Sequence, residues 1–191
     1  MNITRIRFSS LCLGVVALTV AGTLFPAGSD GQDSKEPPKE LRLSYQEFDQ
    51  RPGEGWRKIA DTGKYTEAAK LIDRYAQEKK GLKEWQQVNL RFHAGQLYAL
   101  AGRKAQALAR FKKSLFPKEP PNSPIRWNAY VQATIAFLER DRKKLIKYRQ
   151  EIANGPKFKG SIPNLDVVDR LIEHFDKPYS AAYRGKSDKS K

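Results

Sequence analysis

The chain has 191 residues, of which 39% are hydrophobic and 30% are charged. This length suffices for one ordinary domain with its own core, and the composition excludes a disordered chain in favour of a surface-rich helical protein. The net charge of +15, from 36 basic and 21 acidic residues, favours anionic partners without selecting among them.

The first 29 residues have the layout of a secretory signal peptide. Arg5 and Arg7 precede an uncharged, mostly apolar run at 11–25, and small residues follow it. The run is shorter than the roughly 20 residues that a membrane-spanning helix needs. We therefore expect a signal peptide over 1–29, cleaved near Ser29. An uncleaved N-terminal membrane anchor is the alternative.

The remaining chain favours an exported protein of the bacterial periplasm or cell envelope. Its only cysteine, Cys12, lies within the apolar run, so the mature chain would have no disulfide. Residues 30–42 are polar and contain prolines, which predicts a flexible tether. A helical domain over 43–176 and a flexible basic tail over 177–191 are expected to follow.

Helical patterns run through the predicted domain. Ser44 and Glu47 form an S-x-x-E capping box that opens the first helix, and Pro52 stops it. Ser123 and Pro124 predict the start of a later helix, and Asn164 begins a last one that ends near Phe175. Between these points apolar residues recur with helical spacing, as in the set Tyr65, Ala68, Ile72 and Tyr75. No alternating run is long enough for a strand, so the fold class is all-α.

Three helix pairs recur with a constant spacing. Gly63, Gly102 and Asp141 each fall at the turn inside a pair, and 39 residues separate each from the next. The same shift also aligns the packing positions Ile59, Tyr98 and Phe137, and the positions Ala68, Ala107 and Ile146. A short array of helix pairs is therefore predicted.

The second unit resembles the tetratricopeptide repeat (TPR). The matching residues are Gly95, Tyr98, Gly102, Ala107, Phe111 and Leu115. The first unit matches in Gly63, Tyr65 and Ala68, whereas the third has Thr134, Asp141 and Gln150 in place of the family's residues. The resemblance implies a right-handed superhelix of antiparallel helix pairs over roughly 54–153, closed by a C-terminal capping helix at 164–175.

The family resemblance also implies a concave groove lined by the first helix of each pair. The polar residues at the matching positions are Arg57, Asn89, His93, Gln96, Asn128 and Gln132. Side-chain amides are suited to holding a peptide backbone. These residues are the predicted binding groove, and ordinary solvent-facing positions are the alternative interpretation.

The stretch 140–149 is a second candidate site because it is strongly basic. Cations in the first turn of a helix oppose the helix dipole, so their presence favours an anionic partner. A solvated basic face is the alternative. The predicted patch comprises Arg140, Arg142, Lys143, Lys144, Lys147 and Arg149.

The sequence contains no recognisable catalytic motif. His93 and His174 are its only histidines, and neither belongs to a metal-binding or nucleophile motif. We predict no cofactor, no metal site and no catalytic residue. The leading hypothesis is an exported, non-catalytic interaction module that binds a peptide, a protein or an anionic envelope polymer or lipid. A small envelope hydrolase on a helical scaffold is the alternative.

The charge and the signal sequence bear on two further partner classes. Nucleic acid is not expected, because export separates the chain from it. Membrane attachment is expected only through an uncleaved signal.

Overall fold

The computed structural model describes residues 38–185, so the predicted signal peptide and most of the predicted tether lie outside the described residues. A 3-10 turn at Lys39–Arg42 and a π-helical turn at Gln46–Gln50 precede eight α-helices in the described part. The prediction of an all-α fold is confirmed. The helices are α1 (Gly55–Ala60), α2 (Tyr65–Glu78), α3 (Glu84–Leu100), α4 (Lys104–Lys112), α5 (Trp127–Glu139), α6 (Arg142–Ala153), α7 (Leu165–Glu173) and α8 (Tyr179–Arg184).

Helices α1 to α6 form three hairpins, each closed by a residue with left-handed backbone. Gly63 (φ 82°) and Gly102 (φ 72°) occupy this position in the first two hairpins, where a glycine avoids steric strain. In the third hairpin the left-handed residue is Arg140 (φ 63°), one position earlier than the spacing predicts. Asp141 instead caps α6, because its side chain accepts a hydrogen bond from the Lys144 backbone N–H at 2.9 Å.

The core is centred on α3 and α5, most of whose residues are buried. The Phe92 ring lies 5.2 Å from Phe111, 5.0 Å from Trp127 and 5.2 Å from Tyr130, so one residue of α3 joins α4 and α5. A Cβ at Gly95 would lie 2.9 Å from the Phe111 ring. This glycine therefore lets α3 and α4 approach closely.

Helix α5 begins later than the sequence predicts. Ser123 and Pro124 precede the helix, whose first residue is Trp127. The Glu119 carboxylate accepts hydrogen bonds from the backbone N–H groups of Trp127 (2.8 Å) and Asn128 (3.0 Å). A carboxylate from the preceding loop thus satisfies two donors that a helix leaves free at its start.

The C-terminal region contains a helix that was not predicted. Helix α7 is close to the expected last helix and packs on α5 and α6. Helix α8 lies where a flexible tail was expected, and it buries Tyr179 and Ala182. The ordered domain therefore extends beyond residue 176. Among residues 38–185 no helix combines the length and the apolar character needed to cross a membrane.

Candidate binding site on helix α3

Four polar or aromatic residues of α3 form one stripe along its length. Trp85, Asn89, His93 and Gln96 recur at intervals of three or four residues, which places them on one side of a helix. Tyr45, directly before the π-helical turn, contacts Trp85 and Asn89. Asp49 of the turn contacts His93, and α8 packs on the same helix. Three of the six predicted groove residues therefore share this stripe, but chain segments from both ends of the domain lie over it.

Asp49 is the centre of the contact between the π-helical turn and α3. Its carboxylate is fully buried and lies 2.7 Å from Nδ1 of His93. It also accepts hydrogen bonds from Nε1 of Trp56 at 2.9 Å and from the Tyr45 hydroxyl at 3.1 Å, and a further one from the Gln50 amide. An ionised carboxylate has about four acceptor sites, so these contacts fill it.

Local sequence explains how Asp49 reaches this position. The predicted capping box forms, since the Ser44 backbone N–H donates to Glu47 at 2.9 Å. The turn that follows is π-helical, a geometry that often marks functional positions. Phe48 and Asp49 of the turn are buried, as is Tyr45 directly before it.

Arg57, another predicted groove residue, supports the same cluster through the backbone. Its Nε and Nη2 atoms donate to the Asp49 carbonyl at 3.0 and 2.6 Å, and its guanidinium lies 4.1 Å from the Trp56 ring centroid. Asn89 donates to the Tyr45 hydroxyl at 3.1 Å. Arg57, Asn89 and His93 are thus brought together, as members of one hydrogen-bonded network.

The electrostatics of the cluster favour a charged Asp49. Burial alone would raise the pKa of this carboxyl, but His93, Arg57 and the Trp56 N–H lower the pKa below its usual range. The Tyr45 hydroxyl responds oppositely: burial and the neighbouring Asp49 charge raise its pKa. Burial lowers the pKa of Arg57, and the attraction of Asp49 opposes that change.

The other end of the stripe lies against α8. Gln96 is only 5% exposed. Burial raises the pKa of both Tyr179 and Tyr183, and the Gln96 side chain partly lowers the pKa of Tyr183. The Tyr179 ring lies 5.9 Å from Phe137 of α5. Its buried hydroxyl has no hydrogen-bond partner among the described residues. Helix α8 therefore occupies the end of the predicted groove with two tyrosines.

The last two groove candidates lie outside this network. The Asn128 amide bonds to both the backbone N–H and the carbonyl of Phe116, at 2.9 Å each, so it fastens the loop before α5. Gln132 is half-buried on α5. Asn128 therefore holds a loop of its own chain, and the expectation that it faces an open groove does not fit its contacts.

The basic residues of 140–149 divide among several local roles. The Arg140 guanidinium donates to the carbonyls of Phe175 and Lys177, and Arg142 lies 5.4 Å from the Phe175 ring. Arg149 pairs with Asp169 of α7 at 2.8 Å. Three of the predicted patch residues therefore contact the α7 region. Lys144 and Lys147 pair with acids of α6 or its cap, and Lys143 is exposed.

Sequence reasoning missed the groups that complete the site. Asp49, Tyr45, Tyr179 and Tyr183 were not candidates, although Tyr45 and Asp49 are four residues apart and thus on one face. Within the described residues, no three His, Cys, Asp or Glu side chains are grouped so as to hold a metal ion. The arrangement is suited to holding chain segments on α3 by hydrogen bonds and aromatic packing.

Comparisons with models of protein families, with curated proteins and with solved structures find no match for this chain.

Proposed function

We propose that this protein is an exported, non-catalytic adapter with a TPR-like arrangement of helix pairs. Three hairpins with left-handed turns support this proposal, as does the close approach of Gly95 to Phe111. Ala68 and Ala107, small residues at matching positions, are fully buried. Helix α7 would close the stack, and the expected signal peptide would direct the chain to the periplasm or cell envelope.

The partner in this proposal is a short peptide that binds α3 in place of α8. The observation that carries it is the packing of α8 on α3, in which Tyr179 and Ala182 are buried, since a face that accepts a short aromatic helix from its own chain can accept one from another. Two features favour exchange. The buried Tyr179 hydroxyl lacks a partner, and a shallow pocket of about 330 Å³ adjoins α8 between Ala99 and Phe137.

A peptide-binding experiment tests this proposal directly. The chain would be ended at Asp176, its helicity checked by circular dichroism, and a synthetic peptide of residues 177–185 titrated into it. We expect saturable binding with a Kd of about 10–100 µM, because the natural linkage supplies an effective concentration near the millimolar range. The intact chain should bind the same peptide far more weakly, since its own α8 competes.

A matched peptide with alanine at both tyrosine positions is the control. It should bind at least about tenfold more weakly, since it lacks the aromatic contact area. The proposal would be contradicted if the truncated chain is folded but does not bind the native peptide, or if it binds the two peptides with equal affinity. Peptides selected from a random library on the truncated chain should be enriched in two aromatic residues spaced four apart.

The hydrolase alternative draws on one observation, the pairing of His93 with Asp49. A histidine held at Nδ1 by a carboxylate can act as a base through Nε2, and the His93 side chain is 12% exposed. Screening the full chain against ester, amide and phosphoester substrates would test it. An activity that His93→Gln abolishes, with helicity retained, would favour the hydrolase over the adapter.

A further inference from the structure

Three connections lie at one end of the molecule: two join successive hairpins, and the third joins the last hairpin to α7. Each hairpin turns at the opposite end, so residues 79–83, 113–126 and 154–164 all connect helices at the end away from Gly63, Gly102 and Arg140. One contact ties α3 to the second connection, and another joins the second connection to the third. Arg91 of α3 donates to the Lys113 carbonyl at 3.3 Å, and a side-chain carbon of Arg126 lies 2.9 Å from the position of a Cβ at Gly155.

This end of the molecule is strongly basic. The acids nearby offset it only in part. Glu84 at the start of α3 is exposed, whereas Glu78 pairs with Arg74 and Glu151 with Lys147. The Glu119 carboxylate is engaged by two backbone N–H groups of α5, and 154–164 contains no acid. We call the exposed cations of the three connections the basic end. They are Lys80, Lys83, Lys113, Lys118, Arg126, Lys157 and Lys159.

An exposed phenylalanine projects from the basic end on a rigid turn. Phe158 is 50% exposed, and its backbone exchanges hydrogen bonds with Ser161 at 2.8 and 3.1 Å. Lys159 (φ 49°) and Gly160 (φ 78°) between them both have left-handed backbone, the signature of a two-residue type I′ turn. Lys157 and Lys159 flank the ring, and Nζ of Lys159 is 5.7 Å from its centroid.

The N-terminal chain joins the fold at the same end. The Leu43 carbonyl accepts hydrogen bonds from Nζ of Lys79 at 2.8 Å and from the Tyr75 hydroxyl at 2.9 Å, so residue 43 lies beside the last turn of α2. Upstream of it the sequence contains the apolar run at 11–25. If that run is retained as an anchor, the chain approaches the domain from the side that the basic end faces.

We propose that the basic end docks on the surface of an anionic lipid bilayer, with Phe158 inserted at the level of the lipid headgroups. Lysines attract anionic lipid, and an aromatic ring at the tip of a turn enters the interface. The combination favours lipid over a phosphate polymer, because 154–164 presents a single aromatic residue rather than a series that could stack on bases. This surface is separate from the α3 site and does not depend on it.

Site-directed labelling of the full chain tests the proposal even if the N-terminal segment also binds lipid. In a Cys12→Ser background, Phe158→Cys carries a nitroxide at the basic end, and Lys64→Cys carries one at the hairpin turns. Vesicles of phosphatidylglycerol and phosphatidylcholine are compared with vesicles of phosphatidylcholine alone. The depth of immersion is measured by comparing how strongly oxygen, which concentrates in lipid, and a water-soluble nickel complex each relax the nitroxide spin.

We expect the label at 158 to be immersed only with anionic vesicles, while the label at 64 stays in water. Adding Lys157→Gln and Lys159→Gln should lower the ratio of docked to undocked protein by about 30-fold, and high salt should lower it further. Equal water exposure of the two labels would overturn the proposal. So would immersion that is equal in neutral vesicles, or immobilisation of the 158 label by single-stranded DNA but not by vesicles.

Discussion

Asp49 is the residue on which the contact between the N-terminal turn and α3 depends. A buried carboxylate is stable only where donors replace the water that it has lost. Here the donors come from three separate places in the chain: Tyr45 and Gln50 beside it, Trp56 on α1 and His93 on α3. Changing this one side chain should therefore loosen three elements together.

Replacing Asp49 with asparagine should lower the free energy of unfolding by about 3 kcal/mol, because His93 and Trp56 lose a charged acceptor in a buried site. The pKa of Asp49 is lowered in the folded state, so its stabilisation is present above the ordinary aspartate pKa of about 3.9 and is lost as the pH falls below it. Urea unfolding at neutral and at acidic pH measures both effects.

The matched control for that substitution is Asp169→Asn, which breaks a partly exposed pair with Arg149. It should change stability by less than about 1 kcal/mol. An Asp49→Asn protein no less stable than this control at neutral pH would mean that the buried network contributes little.

The resemblance to tetratricopeptide repeats predicted part of this site at the level of single residues. Arg57, Asn89 and His93 were candidates because they occupy the positions that the resemblance assigns to the groove, on the polar side of a helix. Asp49 could not be found this way, since His93, its partner, is 44 residues away in the sequence. Periodicity identifies which side a residue is on, but not which chain segment covers that side.

At the level of elements, the start of α5 depends on a carboxylate from outside the helix. Glu119→Ala should lower the free energy of unfolding by about 1–2 kcal/mol, because the N–H groups of Trp127 and Asn128 lose their acceptors in a partly buried place. Urea unfolding followed by tryptophan fluorescence measures the loss.

Glu151→Ala is the comparison for that substitution, since Glu151 pairs with Lys147 across 4.0 Å on the surface. A change below about 0.5 kcal/mol is expected there. Similar losses in the two variants would argue against a capping role for Glu119.

The elements differ in how far sequence could predict them. The turns at Gly63 and Gly102 were predicted because glycine is the residue that a left-handed turn favours. The third turn is at Arg140, whose guanidinium bonds to carbonyls after α7, and no local signal predicts such a contact. Helix α8 was missed because six residues are too few for a periodic pattern. Tyr179 is buried through packing on α3 and α5, and the local sequence contains no sign of that packing.

At the scale of the whole molecule, buried tyrosines make the fold sensitive to alkali. Burial raises the pKa of Tyr75 and Tyr98 to about 12, and it also raises the pKa of Tyr130 and Tyr179 well above the usual tyrosine value. Below pH 10 these phenols are neutral in both states. Above the ordinary tyrosine pKa of about 10 only the unfolded chain ionises, so stability should fall as the pH rises further.

An alkaline titration followed by tyrosine absorbance and circular dichroism measures this effect. Ionisation of the buried tyrosines should occur together with the loss of helix, whereas the chain in guanidinium should titrate near pH 10. Complete ionisation near pH 10 with the helices intact would contradict the burial of these residues.

The all-α fold class could be predicted from the sequence, whereas the covering of α3 by other chain segments could not. Periodic apolar residues are sufficient to predict helices and their order. The covering of α3 by the π-helical turn and by α8 depends on contacts between distant parts of the chain, such as that between Arg184 and Tyr65. These contacts convert an expected open groove into an occupied one.

The covering of α3 also has a consequence for when the protein can finish folding. Helix α8, which carries Tyr179 and Tyr183, is synthesised after helices α1 to α7, yet it covers one side of α3. A nascent chain on the ribosome therefore keeps one side of its central helix uncovered until α8 has emerged.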